Sequence, residues 1–151
     1  MPSHSERRRL RYAPSQLFDL VADVGSYPQF VPWVTGARVL RRRGDEMSVE
    51  MEIGARFIRK SFVTTATLER PARIEITSRD PLFDRYRQTW TFRLAEHGWT
   101  MVEYQVDVQL RSRMLDALLG IGFSDTARAV VSAFRRRARQ VYGAGRRAAT
   151  R

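Results

Sequence analysis

The segment Y-A-P-S-Q-L-F-D-L-V-A-D-V-G-S-Y-P-Q-F-V-P-W-V, from Tyr12 to Val34, determines how the rest of the chain is arranged. Pro14 presets the backbone for the first turn of a helix, and apolar residues then recur at helical spacing. Gly25 is expected to end this helix, and the prolines after it favour a second short helical turn or a loop that carries aromatic residues. The segment holds no set of side chains that performs chemistry, so we interpret it as a lid and not as an active site.

Seven strands are expected around this segment. A short basic strand, Glu6 to Tyr12, precedes it, and after Thr35 apolar and polar residues alternate, most clearly in Met47 to Ile53 and Thr100 to Leu110. Weaker strands are expected at Ala37 to Arg42, Phe57 to Leu68, Arg73 to Ser78 and Arg85 to Leu94. The loops between consecutive strands are short, which predicts an antiparallel meander.

A long amphipathic helix is predicted at the end of the chain, because apolar residues from Phe123 to Val141 recur every three or four positions opposite arginines. It could start as early as Ser112, and Gly120 and Gly122 would then interrupt or bend it. The expected fold class is therefore α+β, with residues 1–143 as a single domain and 144–151 as a disordered basic tail.

A cavity is expected between the sheet and the terminal helix, since one helix about 10 Å wide cannot cover seven strands. Apolar cavities with few polar groups are typical of small-molecule sites, although the same side chains could form an ordinary core. The candidate ligand-binding residues are those expected to face the gap or to close it: Phe30, Trp33, Met51, Phe62, Tyr86, Trp90, Tyr104, Met114, Leu118 and Phe134.

Three segments carry a resemblance to a known family: Tyr12 to Val34, Trp90-Thr91-Phe92, and the terminal A-F-R-R-R-A-R-Q-V-Y-G. In order and spacing the chain resembles the coenzyme Q-binding, START-like family, part of the helix-grip superfamily with pollen allergens and aromatic polyketide cyclases. The resemblance implies a seven-stranded sheet gripping a long C-terminal helix, with two short helices between strands 1 and 2. The family often has cysteine after the Pro-Trp pair, whereas Val34 stands there in this chain.

The resemblance also implies a ligand, a polyprenyl quinone such as ubiquinone, held without covalent attachment by a lipid chaperone that supports respiration and quinone synthesis. Burial of each methylene contributes about 0.8 kcal/mol, so a prenyl tail needs no polar recognition. The quinone oxygens would need one or two hydrogen-bond donors, for which Tyr86, Gln88, Tyr104, Thr64 or an arginine at the mouth are candidates.

The net charge of +11 favours phosphate-rich partners, either nucleic acid or anionic lipid, although a codon bias toward arginine could produce it too. The arginines cluster at 7–9 with 11, at 41–43, at 135–137 with 139, and at 146, 147 and 151. The cluster at 135–137 is either a solvated helix face or a device that orients the cavity mouth toward an anionic membrane. As an alternative function, the same family resemblance extends to ribosome-association toxins that hinder subunit joining.

An enzyme is not expected. His4 and His97 are predicted to be surface residues and no metal site is predicted. Asp19 and Asp23 are expected to face solvent or to pair with arginines, and the strand carboxylates to be solvated. The absence of cysteine and of a long apolar run favours a cytoplasmic location, with at most peripheral contact at the inner membrane.

Overall fold

The computed structural model of the protein describes residues 2–55 and 58–145. The strands are β1 (Ser3–Leu10), β2 (Val34–Arg43), β3 (Glu46–Ala55), β4 (Ile58–Glu69), β5 (Arg73–Thr77), β6 (Phe83–Leu94) and β7 (Thr100–Leu110). The helices are α1 (Pro14–Ala22), α2 (Arg113–Gly120) and α3 (Phe123–Tyr142), and short 3-10 segments cover Val24–Gln29 and Glu96–Gly98.

The strands form one antiparallel sheet in the order β1-β7-β6-β5-β4-β3-β2. Strands β2 to β7 follow one another as a meander, and the last strand, β7, also pairs with the first strand, β1, so β1 and β2 are the two edges. Two short helical segments lie between β1 and β2, and the long helix α3 comes last. The predicted α+β helix-grip arrangement is therefore confirmed.

Alternation along β7 decides which side of the sheet becomes the core. Val102, Tyr104, Val106 and Val108 are buried, whereas the polar residues between them lie on the outer face. The carboxylates expected to be solvated do lie outside, and they pair with arginines, as in Arg85–Asp107 at 2.8 Å. The period-two pattern therefore separates a dry face from a charged face, as predicted.

The first strand and the first helix differ slightly from expectation. β1 begins at Ser3 and not at Glu6, so His4 lies inside the sheet. Its side chain is only 8% exposed and its Nε2 lies 2.8 Å from Glu6 Oε1, so the prediction of a surface histidine was wrong. Helix α1 ends at Ala22, and Gly25 falls inside the 3-10 segment that follows.

The end of the chain bends where the glycines predict it. The Ser112 hydroxyl accepts a hydrogen bond from the Leu115 N–H at 3.3 Å and caps α2. Gly122 has a φ of 68°, a left-handed conformation that suits glycine, and α2 and α3 meet at 65°. α2 therefore does not continue the axis of α3. None of the residues of α2 is fully buried.

Helix α3 covers the part of the sheet nearest β1. It buries Ala127, Val131, Phe134 and Ala138 at spacings of three and four, against α1 and the inner face of the sheet. Only a void of about 10 Å³ remains beneath it, among residues that include Trp90, Val131 and Phe134. This half of the interior is therefore closely packed.

Within the described residues no single helix is long and apolar enough to cross a membrane, although α2 and α3 would reach that length and composition if taken together. The predicted disordered tail, 144–151, lies outside the described residues from position 146 onward, as does Phe57 at the start of the expected fourth strand.

Candidate functional site

An apolar cavity of about 430 Å³ opens where α3 does not cover the sheet. The inner faces of β3, β4, β6 and β7 form its floor, α2 forms one wall, and the start of α3 closes one end. Its lining residues are Trp33, Ile53, Gly54, Lys60, Phe62, Leu82, Phe83, Tyr86, Val108, Leu110, Leu115, Leu118, Leu119 and Thr126. Both the volume and the mostly apolar lining fall in the range of small-molecule sites.

Three aromatic rings build one wall of this cavity. Phe62, Phe83 and Tyr86 contact one another, with ring centroids 4.9 to 5.8 Å apart. They come together because β4 and β6, which lie on either side of β5, both direct these side chains to the inner face. The wall is aromatic, with the Tyr86 hydroxyl as a polar group at its edge.

The Tyr86 hydroxyl belongs to a short hydrogen-bonded chain along β6. Trp90 Nε1 donates to Gln88 Oε1 at 2.8 Å, and Gln88 Nε2 donates to the Tyr86 oxygen at 3.2 Å. Burial is the main cause that raises the pKa of Tyr86 to about 12, so the phenol is neutral. Within the described chain its own proton has no acceptor, so the hydroxyl is available to donate to a ligand.

Helix α2 forms the mouth of the cavity and is apolar on both sides. Leu115, Leu118 and Leu119 line the interior. Met114 on α2 and Ile121 directly after it do not line the cavity and are 73% and 77% exposed. Such exposure of large apolar side chains beside a cavity is typical of a surface that meets another apolar surface.

Four of the ten predicted ligand-binding residues line the cavity: Trp33, Phe62, Tyr86 and Leu118. Met114 is exposed on α2, and Met51 is half-buried against the core. The others, Phe30, Trp90, Tyr104 and Phe134, pack together between α3 and the sheet, with the Phe134 ring centroid 5.0 Å from that of Phe30 and 5.1 Å from that of Trp90. Trp90 and Tyr104 are each only 2% exposed, which places them in the core.

Most of the other lining residues could not be predicted from the sequence, for two reasons. Phe83 lies before the predicted start of β6, and Ile53, Val108 and Leu110 look like ordinary strand positions. Leu115 and Leu119 carry a usable signal, because they share one face of the predicted start of the terminal helix with Leu118.

The expected lid divides into two parts. Tyr27 is buried, its hydroxyl donates to the Val21 carbonyl, and its ring packs edge-on against Phe134 at 5.3 Å. Tyr27 and Phe30 thus hold the first helices against α3, whereas Trp33 lines the cavity. Trp33 has a φ of 58°, an uncommon conformation for a bulky residue, which turns the chain into β2.

A second concavity, of about 1090 Å³, lies at the other end of β7, and we call it the arginine cleft. It lies between the C-terminal half of α3, the end of β1 and the residue before β7. Its lining residues are Arg8, Arg9, Leu10, Arg11, Tyr12, Trp99, Ser132, Arg135, Arg136, Arg139 and Ala144. Trp99 and Val108 are separated by roughly 30 Å of strand, so the cleft and the cavity lie far apart.

The arginines at 135–137 do not border the cavity mouth. Arg135 and Arg136 line the arginine cleft, and Arg137 lies over the Phe30 ring and donates to Gln29 Oε1 at 3.1 Å. The hypothesis that this cluster turns the cavity mouth toward a membrane therefore lacks the geometry it needs.

Other polar groups form structural contacts. Arg70 makes a two-pronged salt bridge with Asp19, at 3.0 Å for each arm, as expected for that carboxylate. Thr64 donates to the Val49 carbonyl at 3.3 Å. Over residues 2–55 and 58–145, no group of three histidine, aspartate or glutamate side chains is placed to hold a metal ion.

The sequence matches one known protein family over most of its length. The family model described as polyketide cyclase / dehydrase and lipid transport matches residues 10–135. The chain belongs to this family. Its members' description covers both enzymes and lipid carriers, so membership alone does not choose between them.

Two relatives and one solved structure are similar to this chain over most of its length. The chain is 30% identical to the ribosome association toxin RatA of Escherichia coli over 144 residues, which is 95% of this chain and 91% of that protein. It is 25% identical to the mitochondrial coenzyme Q-binding protein COQ10 of Dictyostelium discoideum, over 90% of this chain and 68% of that protein. The solution structure of the 18 kDa protein CC1736 from Caulobacter crescentus is 35% identical, with a TM-score of 0.74 over 95% of this chain and 100% of that one.

These similarities confirm the resemblance stated from sequence, both to coenzyme Q-binding proteins and to ribosome-association toxins.

Proposed function

We propose that this protein is a non-enzymatic carrier that binds a polyprenyl quinone, such as ubiquinone, in its apolar cavity. The observation that carries the proposal is the mostly apolar cavity with the Tyr86 hydroxyl at its wall, whose proton has no acceptor among the described residues. A quinone carbonyl is a neutral acceptor, and an uncharged phenol is a suitable donor to it. The similarity to COQ10, a coenzyme Q-binding protein by name, supports the same ligand class.

The cavity is small for a complete long-chain quinone. A volume of about 430 Å³ suits the head ring and the first part of the chain, and the rest of the tail would leave through the mouth beside α2. Met114 on α2 and Ile121 at its end, both exposed, would then contact the hydrocarbon of a membrane during loading. We therefore assign the proposed peripheral membrane contact to α2 and not to the arginines at 135–137.

The ligand is tested by organic extraction and mass spectrometry of protein purified from its native host, followed by titration with a short-chain ubiquinone analogue. Co-purified quinone and saturable binding are expected. Tyr86→Phe keeps the aromatic wall and removes one hydrogen bond, so affinity should fall about three- to tenfold. Repeated absence of quinone in extracts, together with no uptake of the analogue, would overturn the proposal.

A second candidate function is association with the large ribosomal subunit, which would hinder subunit joining. The arginine cleft favours it, since a basic concavity suits a partner rich in phosphate, and so does the similarity to RatA. Sedimentation of ribosomal subunits with added protein tests it. Co-sedimentation with the large subunit and fewer joined ribosomes are expected, and unchanged joining without co-sedimentation would remove this function.

A further inference from the structure

Six arginines line the arginine cleft, and no carboxylate lines it with them. Arg8 has an ion partner, Glu6, at 2.7 Å. Arg9, Arg11, Arg135, Arg136 and Arg139 have no carboxylate within salt-bridge distance anywhere in residues 2–55 and 58–145. Five guanidinium groups thus share one concavity without a counter-charge from residues 2–55 and 58–145.

On the outer face of the sheet, in contrast, arginines pair with carboxylates. There Arg38 pairs with Glu50 at 3.1 Å, Arg93 with Glu103 at 2.8 Å, and Arg73 with Glu75 at 2.6 Å. A codon bias would add arginines everywhere, but it would not remove the carboxylates from one place. The cleft is therefore distinguished by what its arginines lack and not by their number.

The cleft arginines are held apart on two walls. On the first wall, the guanidinium groups of Arg9 and Arg11 each lie 5.3 Å from the Trp99 ring centroid, in contacts that position a cation and leave its N–H groups free. On the second wall, Arg135, Arg136 and Arg139 project from α3 and are exposed.

Arg8 connects the walls, because it donates to Ser132 on α3 at 3.2 Å. Guanidinium groups fixed on two sides of a trough are suited to bidentate contact with phosphates that pass along it.

We propose that the arginine cleft binds the phosphodiester backbone of RNA. The cleft is an open concavity of about 1090 Å³ with guanidinium groups on both walls, an arrangement that suits an extended polyanion better than a single anion. A bilayer surface fits it less well, because the cleft is concave and its apolar lining residues Leu10 and Tyr12 are buried, so they cannot insert into lipid.

The RNA site is independent of the apolar cavity at the far end of β7. It gives ribosome association a contact surface and to that extent rests on the second candidate function. Free RNA serves as the probe, so that the cleft and ribosome association can fail separately.

The experiment measures fluorescence anisotropy of a labelled single-stranded RNA of about 16 nucleotides over a range of salt concentrations. Contacts from the five unpaired arginines predict a slope of log K against log salt of about −3.5, because each contact contributes about −0.7 for single strands. The triple variant R135Q/R136Q/R139Q should bind on the order of tenfold or more weakly at low salt, with a slope of about −1.4.

The matched control is R41Q/R42Q/R43Q, which removes the same charge from exposed positions on the opposite edge of the sheet. It should retain nearly all of the affinity and slope. Thermal unfolding checks that both variants fold, and if the first does not, R9Q/R11Q on the other wall takes its place.

Three results would overturn the proposal: unchanged RNA binding by the cleft variant, equal losses in the cleft and control variants, or a larger cleft-dependent loss with phosphatidylglycerol vesicles than with RNA. Loss of RNA binding in the cleft variant supports the site, whether or not the wild-type protein associates with ribosomes. Intact ribosome association with no cleft-dependent RNA binding refutes the site alone.

Discussion

The apolar cavity and the arginine cleft lie at opposite ends of β7, and each is walled in part by α3. In the cavity the rings of Phe62, Phe83 and Tyr86 contact one another and also border open space, whereas the rings between α3 and the sheet are enclosed by the core. In the cleft five arginines lack carboxylate partners among the described residues, whereas arginines on the outer face have them. Both candidate sites are therefore places where side chains are left incompletely covered or unpaired by the described part of the chain.

The largest expected effect comes from breaking the core that separates the two sites. Phe134 is 5% exposed and contacts Tyr27, Phe30 and Trp90, so Phe134→Ala should lower the free energy of unfolding by about 3–5 kcal/mol. Urea unfolding measures this. Quinone and RNA binding should weaken together, because α3 contributes to both sites.

Val141→Ala is the control for that change, since Val141 lies on an exposed part of the same helix and its loss should cost about 0.5 kcal/mol or less. A Phe134 variant that keeps its stability and loses only ligand binding would return Phe134 to the ligand site predicted from sequence.

An intermediate effect is expected from Trp33 and Phe30, two aromatic residues of one segment with different contacts. Trp33→Ala should lower affinity for the ubiquinone analogue on the order of tenfold, because a large ring leaves the cavity lining. Phe30→Ala should instead cost about 1–2 kcal/mol of stability, since its ring packs on Phe134. Titration and urea unfolding of both variants provide the test. Equal losses of binding and of stability in both variants would show that Trp33 and Phe30 do not have different roles.

The smallest effect is expected from pH and concerns the polar edge of the cavity. Burial raises the pKa of Tyr86 to about 12, against about 10 in an unfolded chain. Above pH 10 the unfolded chain loses a proton that the folded protein retains, so stability is constant below pH 10 and falls as pH rises toward 12.

Tyr86→Phe should make that alkaline decline shallower without abolishing it, because burial raises the pKa of Tyr27 and Tyr104 as well. Unfolding midpoints measured at several alkaline pH values provide the test. A decline as steep as in the wild-type protein would mean that the Tyr86 phenol is not desolvated in the cavity.

The fold could be predicted from the sequence because its signals are local. Alternation in Thr100 to Leu110 and helical spacing from Phe123 to Val141 each fix one element and the face that it buries. Short loops then leave few choices of strand order. Ser112, Gly120 and Gly122 even predicted the break between α2 and α3.

The sites were harder to predict from the sequence, because their positions depend on where α3 lies on the sheet. Tyr86 and Trp90 face the same side of β6, yet α3 covers Trp90 and leaves Tyr86 beside open space. The arginine clusters could be recognised in the sequence, but the clusters of β1 and α3 lie side by side only because β7 pairs with β1. No local pattern encodes that pairing or the absence of carboxylates around Arg9 and Arg135.

The open sheet has one further consequence, for how copies of the protein behave in a crowded solution. An unpaired edge strand is a template for the edge of another sheet, and this fold has two such edges, β1 and β2. Arg7 and Arg9 are exposed on one edge strand, and Arg41, Arg42 and Arg43 are exposed on the other. Two copies that approach edge to edge therefore bring like charges together, which opposes the pairing of their edge strands.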